Sequence, residues 1–211
     1  YNKWKSFDKD NPEPEFNKSL IHIRNGRFDI GWKLYESGLQ NNIREPLSGY
    51  YEETKEIWDG QPFDGTLLIY GEQGIGDQIL FGTVLPELLE NQTKVILKID
   101  NRLKHLFKKS FPTIKVISDK EIIKNLEYQK YISIASLCKF YRKHTNDFMK
   151  CKFKSYKFNQ NFSKKFRDQI KDLKGIKIGI SWASFSNNNR NRRSLNNNEL
   201  SRIVCCNNNS F

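Results

Sequence analysis

Cysteine and histidine are scarce in this chain of 211 residues, and those present are not spaced for chemistry. The four cysteines are Cys138, Cys151, Cys205 and Cys206. None forms a CxxC pair, and the adjacent pair has no second pair to complete a zinc-type set. The three histidines, His22, His105 and His144, are scattered. No metal site is expected, and the thiols read as reduced, as in a cytoplasmic protein. No segment reaches the ~18–20 unbroken apolar residues of a membrane-spanning helix. The chain opens with no basic-then-apolar leader or small-residue cleavage site. It starts at Tyr1 rather than Met, so its true N-terminus is expected upstream and a lost leader stays open.

The net charge is +12, from 36 Lys and Arg against 24 Asp and Glu. A basic balance of this size raises the question of nucleic acid. Lysine, asparagine and isoleucine are abundant together, however, a joint bias that A/T-rich codons produce without any partner. Lys104, Lys108 and Lys109, and further on Lys150, Lys152, Lys154 and Lys157, read as solvated faces of amphipathic segments. Aromatics make up 13% of the residues but recur at core spacing, not as an exposed stacking platform. No nucleic-acid partner is expected. With 37% hydrophobic residues, the chain can bury the core of one domain with attachments.

Residues 12–40 read as a helical hairpin. Phe16, Leu20 and Ile23 share one helix face, Asn25-Gly26 breaks the pattern, and Phe28, Trp32 and Tyr35 share the face of a second helix. Gly31 and Gly38 would let a neighbouring helix approach this second helix closely. Residues 41–65 form a polar linker with Pro46, Gly49, Gly60 and Pro62, anchored by Trp58. Beyond it, strand and helix patterns alternate, with strands expected at 94–99, 115–118 and 131–134 and a helix at 102–111 closed by Pro112. At most a helical turn is expected at 121–125, and a helical or irregular stretch at 137–141. Such alternation predicts a parallel, doubly wound sheet. A lysine-rich connection then leads to a helix at 162–173, a strand at 175–182, an Asn/Arg-rich loop at 183–194 and a helix at 198–205. The chain is expected to be cut short at both ends.

The most informative stretch is Thr66-Leu-Leu-Ile-Tyr-Gly-Glu-Gln-Gly-Ile-Gly-Asp-Gln-Ile-Leu80. Residues 66–70 read as a buried strand. The run then breaks at Gly71, Gly74 and Gly76 and restarts as a helix through Ile79, Leu80, Val84, Leu85 and Leu88. A strand, glycine loop and helix in this order let backbone approach a ligand and aim free N–H groups at an anion. Asp77 stands where the helix begins. An acid beside such a cradle points to transfer chemistry on a phosphorylated substrate, with Asp77 as candidate base. The plainer alternative is an aspartate that only caps the helix.

The run Gly26-Arg-Phe-Asp-Ile-Gly-Trp-Lys-Leu-Tyr-Glu-Ser-Gly38 resembles the middle of a single tetratricopeptide repeat. Joined with Trp58-Asp59-Gly60, the Gly71-Glu-Gln-Gly-Ile-Gly-Asp-Gln78 segment, Ile178-Gly-Ile-Ser-Trp-Ala183 and Arg192-Arg-Ser-Leu195, it resembles bacterial tetratricopeptide-repeat proteins fused to a glycosyltransferase domain. That domain is similar to the heptosyltransferases of glycosyltransferase family 9, which have the GT-B fold. The resemblance implies a helical hairpin at 1–40, a linker at 41–65, an acceptor-side Rossmann-like half at 66–160 and the truncated start of a donor-side half at 161–211.

It further implies inverting, metal-independent transfer from a nucleotide-sugar to a glycan or other hydroxyl acceptor, with no cofactor. The family's base, the acid of the Gly-Asp pair, falls on Asp77. One carboxylate must take the acceptor proton as the C1–O bond of the sugar breaks. Gly74 and Gly76 would line the phosphate or donor cradle. A Lys or Arg after the Ile-Ser-Trp strand neutralises the departing diphosphate in the family. Arg193 is the nearest match, with Arg190 and Arg192 beside it, and Ser181 and Ser184 could hydrogen-bond phosphate. Residues 1–211 alone are expected to catalyse little or no transfer, since the rest of the donor half is absent. The cytoplasm is the expected location, with peripheral attachment to an inner membrane left open.

Two alternatives from other classes stand beside this one. The first is a non-catalytic scaffold that binds a protein partner through the repeats. The second is a dinucleotide-binding oxidoreductase with Asp100 on the ribose, although the loop's Gly-x-x-Gly-x-Gly spacing reverses the usual fingerprint.

Overall fold

The computed structural model describes residues 11–44, 54–123, 126–158, 160–183 and 194–204. Contacts divide the chain into two compact units, 1–158 and 159–211.

The first unit begins with the hairpin, helix α1 (Glu13–Arg24) and helix α2 (Phe28–Tyr35), followed by a 3-10 turn over Glu36–Asn42. Gly26 makes the corner at φ 73°, a conformation glycine adopts without strain. The close approach read at Gly31 is real: a Cβ there would meet Ile23 Cγ1 at 2.6 Å. Gly38 is equally tight against Phe16 and Arg44, but it lies in the 3-10 turn and not in the helix. The inward stripe of α1 runs through Phe16, Ser19 and Ile23, the i, i+3, i+7 spacing of one face, and turns Leu20 outward to 44% exposure.

Five short strands follow: β1 (Glu56–Ile57), β2 (Leu67–Tyr70), β3 (Val95–Ile99), β4 (Lys115–Ser118) and β5 (Lys130–Ser133). They form one sheet in the order β1-β5-β2-β3-β4, and every pair is parallel. The alternation of strand and helix patterns is thus realised as a mixed α/β fold. The stretch read as linker departs from expectation by supplying β1, which adds to the sheet edge beside β5. Trp58 anchors it as expected, buried with its indole N–H donating to Gln61 O at 2.7 Å and its ring 5.3 Å from Phe140. The helices between strands are short. Helix α3 (Ile75–Phe81) gives way at Gly82 to a 3-10 turn and then α4 (Leu85–Leu88), where the apolar pattern had read as one helix. Helix α5 (Lys104–Ser110) connects β3 to β4, and α6 (Cys138–Tyr141) and α7 (Thr145–Met149) follow β5. Helix α7 was not foreseen.

The two sheet faces differ. Leu67, Ile69, Val95, Leu97, Ile99, Val116 and Ile132 look into the large core shared with the helices. Leu68, Tyr70, Ile96, Ile117 and Tyr131 look the other way, into a smaller cluster closed by Ile123, Leu126 and Tyr128. Among the described residues no helix contributes to that second cluster, so a helix layer on both faces, as in a doubly wound sheet, is not seen. The hairpin belongs to the main core. Trp32 and Tyr35 pack on Phe81 of α3, and the Trp32 indole N–H donates to Arg142 O at 2.8 Å.

The second unit contains α8 (Gln160–Ile170) and α9 (Asn197–Val204). The strand read at 175–182 is absent: these residues are in no strand, and Ile176, Ile178, Ile180 and Trp182 are exposed. Their alternation suits a half-buried strand, but a strand exists only with a partner ladder, and no described residue supplies one. Among the described residues no helix is long and apolar enough to cross a membrane.

Burial of Trp32 in the shared core sets a test. Trp32→Ala should destabilise the first unit by about 3–5 kcal/mol in urea unfolding. A loss below about 1 kcal/mol would mean the hairpin is an appendage and not part of the core.

Candidate functional site

Strands β3 and β5 lie on opposite sides of β2, so the strand order reverses there. Open α/β sheets take ligands outside the carboxyl ends of the strands at such a reversal. Here the crevice is framed by the residues after Tyr70 and after Ser133, which are register partners. The glycine loop leaves β2 at this place.

Each loop residue is fixed by a specific contact. Gly71 lies against Gln78, and a Cβ at 71 would come 2.6 Å from Gln78 Oε1. Gln78 is buried within α3 and clasps the loop to the end of β3. Its Oε1 accepts the Asp100 N–H at 3.0 Å, and its Nε2 donates to Gln73 O at 3.3 Å. Gly74 is the extended residue before α3, and its N–H donates to Asp77 Oδ2 at 3.1 Å. Asp77 is half-buried, in the first turn of the helix. A Cβ on Gly76 would meet nothing within 4 Å. Its missing side chain serves no internal packing and leaves free space at the lip of the crevice.

Behind the lip the crevice is filled by the protein itself. Arg44, from the end of the hairpin segment, is fully buried. Its Nε and Nη2 donate to the Glu72 carboxylate at 3.1 and 2.5 Å. Its Nη1 donates to Tyr35 O at 3.0 Å and Glu36 Oε1 at 3.1 Å. Nη2 also reaches Ser133 Oγ at 3.0 Å and Ser136 Oγ at 3.3 Å. Glu36 in turn accepts from Ser136 Oγ at 2.6 Å and Lys139 Nζ at 3.0 Å. The guanidinium lies 4.3 Å from the centre of the Tyr35 ring. Two cations thus face two carboxylates at the switch point.

The protonation equilibria follow from this packing. Burial pushes the Glu72 carboxyl up, against the attraction of Arg44. Burial alone would raise Glu36 too, but the Ser136 hydroxyl, Arg44 and Lys139 together hold it below the usual carboxylate range. Burial pushes the Tyr35 phenol up to about 12, so it stays protonated at neutral pH.

The structure brings Gly74, Gly76 and Asp77 together where the loop enters α3. Ser181 is exposed in the second unit. Arg190, Arg192, Arg193 and Ser184 lie outside the described residues. Arg44 and Glu72 were missed. Glu72 sits inside the singled-out motif, and an acid two residues after an apolar strand was the available signal. Nothing in the sequence pattern marks Arg44. Asp100 is paired with Arg102, which donates to its two carboxylate oxygens at 2.9 and 2.7 Å. Among the described residues no cluster of His, Cys, Asp or Glu could hold a metal ion.

The chain is similar to the protein FlbA of Caulobacter vibrioides, with 30% identity over 112 residues. The match covers 51% of this chain but only 18% of FlbA, so it spans less than a fifth of that relative's length. The relative's name carries no activity to transfer. No protein-family model matches the chain, and no solved structure matches it.

If the buried pair closes the crevice, Arg44→Met should cost about 3–5 kcal/mol by leaving Glu72 buried without its cation, and Arg44→Met/Glu72→Met much less. A denaturation double-mutant cycle measures this. Additive losses would show that the two side chains do not depend on each other.

Proposed function

We propose that this chain is part of an inverting, metal-independent glycosyltransferase of the heptosyltransferase-like GT-B kind. It would move a sugar from a nucleotide-sugar to a hydroxyl acceptor, with Asp77 as general base. The observation that carries this is the place of Asp77: half-buried at the lip of the switch-point crevice, beside a glycine with open space in front of it. A base must reach the acceptor hydroxyl, and a carboxylate tethered through one oxygen to the Gly74 N–H is held in orientation. The motif resemblance supplies the reaction type. In this reading Gly74 and Gly76 admit the substrate, and Ser181 with Arg190, Arg192 and Arg193 belongs to the donor-phosphate side. Transfer is a property of a longer protein carrying this chain, which would act in the cytoplasm or against the inner face of a membrane.

The specific observation favouring a non-catalytic scaffold is the same Gly74–Asp77 hydrogen bond, since a capping aspartate makes it too. On that reading the tetratricopeptide-like hairpin binds a protein and Asp77 only starts a helix.

Two substitutions separate the readings in the longer protein, assayed by nucleotide release from a panel of nucleotide-sugars. Asp77→Asn should lower turnover at least about 100-fold with the fold retained. Undiminished turnover would remove Asp77 from the chemistry. Gly76→Ala should stabilise the fold by about 0.4–1 kcal/mol, because alanine suits a helix and nothing obstructs its methyl group. The same change should weaken transfer by filling the substrate's space. A stabilised protein with full activity would show that nothing approaches there.

A further inference from the structure

Among the described residues, Gln73 is the only non-glycine with positive φ, at 57°. Its loop contains two glycines, Gly71 and Gly74, and neither takes the left-handed conformation. A glycine at position 73 would adopt it freely, so the chain carries a side chain where it is conformationally unfavourable. Strain of this kind persists only where surrounding contacts over-determine it, and it collects at functional sites.

Those contacts form a continuous line. Gln73 Nε2 donates to Tyr35 Oη at 3.0 Å, and the Gln73 carbonyl accepts from Gln78 Nε2 at 3.3 Å. The next residue, Gly74, holds Asp77 Oδ2 through its N–H. The preceding residue, Glu72, is gripped by Arg44. Tyr35 is itself closely packed. Its ring is 5% exposed and wedged between Phe16 at 5.1 Å, Trp32 at 5.6 Å and Phe81 at 6.4 Å. Two consecutive loop residues are therefore held by side chains, one from Tyr35 of the hairpin and one from Arg44 just beyond it, and the residue after them orients the carboxylate.

We infer that Gln73 is a positioning residue, clamped by Tyr35 so that the Gly74 N–H aims the Asp77 carboxylate at the acceptor hydroxyl. The inference rests on Asp77 being the base of a glycosyltransferase. It makes the hairpin part of the catalytic apparatus, although the hairpin need not touch substrate. The Gln73–Tyr35 bond supplies orientation and no chemistry, so its loss affects the rate of the chemical step and leaves acceptor binding intact. Misplacement of a reacting group by a fraction of an ångström is enough for such an effect.

Two substitutions leave the core in place. Tyr35→Phe keeps the ring and removes only the hydroxyl. Gln73→Gly removes the side chain and the strain together. In the longer protein, both should lower kcat for nucleotide release roughly tenfold with KM for the acceptor unchanged. The melting temperature should hold in Tyr35→Phe and hold or rise in Gln73→Gly. In residues 1–211, both should shift the amide resonances of Gly74 and Asp77. Wild-type kcat in both variants overturns the inference, and so does a lowered melting temperature with unchanged kcat, the mark of a merely structural contact. If Asp77→Asn is inactive while these variants are unimpaired, the inference fails and the glycosyltransferase reading stands. If Asp77→Asn is fully active, that reading fails, and the inferred catalytic role of Gln73 falls with it. The resonances then decide only whether the clamp exists, and unchanged Gly74 and Asp77 signals dismiss that as well.

Discussion

The buried Arg44–Glu72 pair is the constraint on which the rest of the first unit depends. A guanidinium with no exposure is tolerable only when each of its donors is matched, and here the matches come from four places in the chain. Tyr35 O and Glu36 come from the hairpin segment, Glu72 from the glycine loop, Ser133 from the end of β5 and Ser136 from the turn beyond it. One side chain thereby fixes how the hairpin meets the sheet and where the loop leaves β2. The same residue fills the depth of the switch-point crevice and leaves Gly74, Gly76 and Asp77 at its outer lip.

Much of this was legible in the sequence wherever a periodic pattern reported a local cause. The apolar runs of β2 and β3 become fully buried strands, and residues 115–118 are β4 to the residue. Asn25-Gly26 ends α1, and Pro112 follows the end of α5. The misses share a different cause. Arg44 sits in a polar stretch and looks like any solvated arginine, because its partners Glu72, Ser133 and Ser136 lie 28 to 92 positions away in sequence. Strand β1 has two residues, too few for any alternation to show, and exists because β5 offers an edge. The isoleucines at 176, 178 and 180 show the converse. Their alternation is correct for a strand, yet pairing is a property of two segments, and only one is described.

The candidate site is divided in the same way. The loop with Asp77 is assembled from residues close in sequence, so a motif could reveal it. The loop's contacts to Tyr35 and Arg44 reach outside its own motif, so that motif does not reveal them. Of the residues expected to meet the donor's diphosphate, only Ser181 is among those described, and it is exposed. The hairpin and the end of β5 contact the glycine loop, and its lip presents a carboxylate and an unfilled space.

The most direct measurement is a structure of the longer protein with a nucleotide-sugar and acceptor bound. The account predicts the acceptor hydroxyl within hydrogen-bond reach, about 2.6–3.2 Å, of an Asp77 oxygen, with the sugar's C1 beyond it. A ligand seated away from the glycine loop, with Asp77 still engaged only by Gly74, would contradict it and leave Asp77 as the start of a helix.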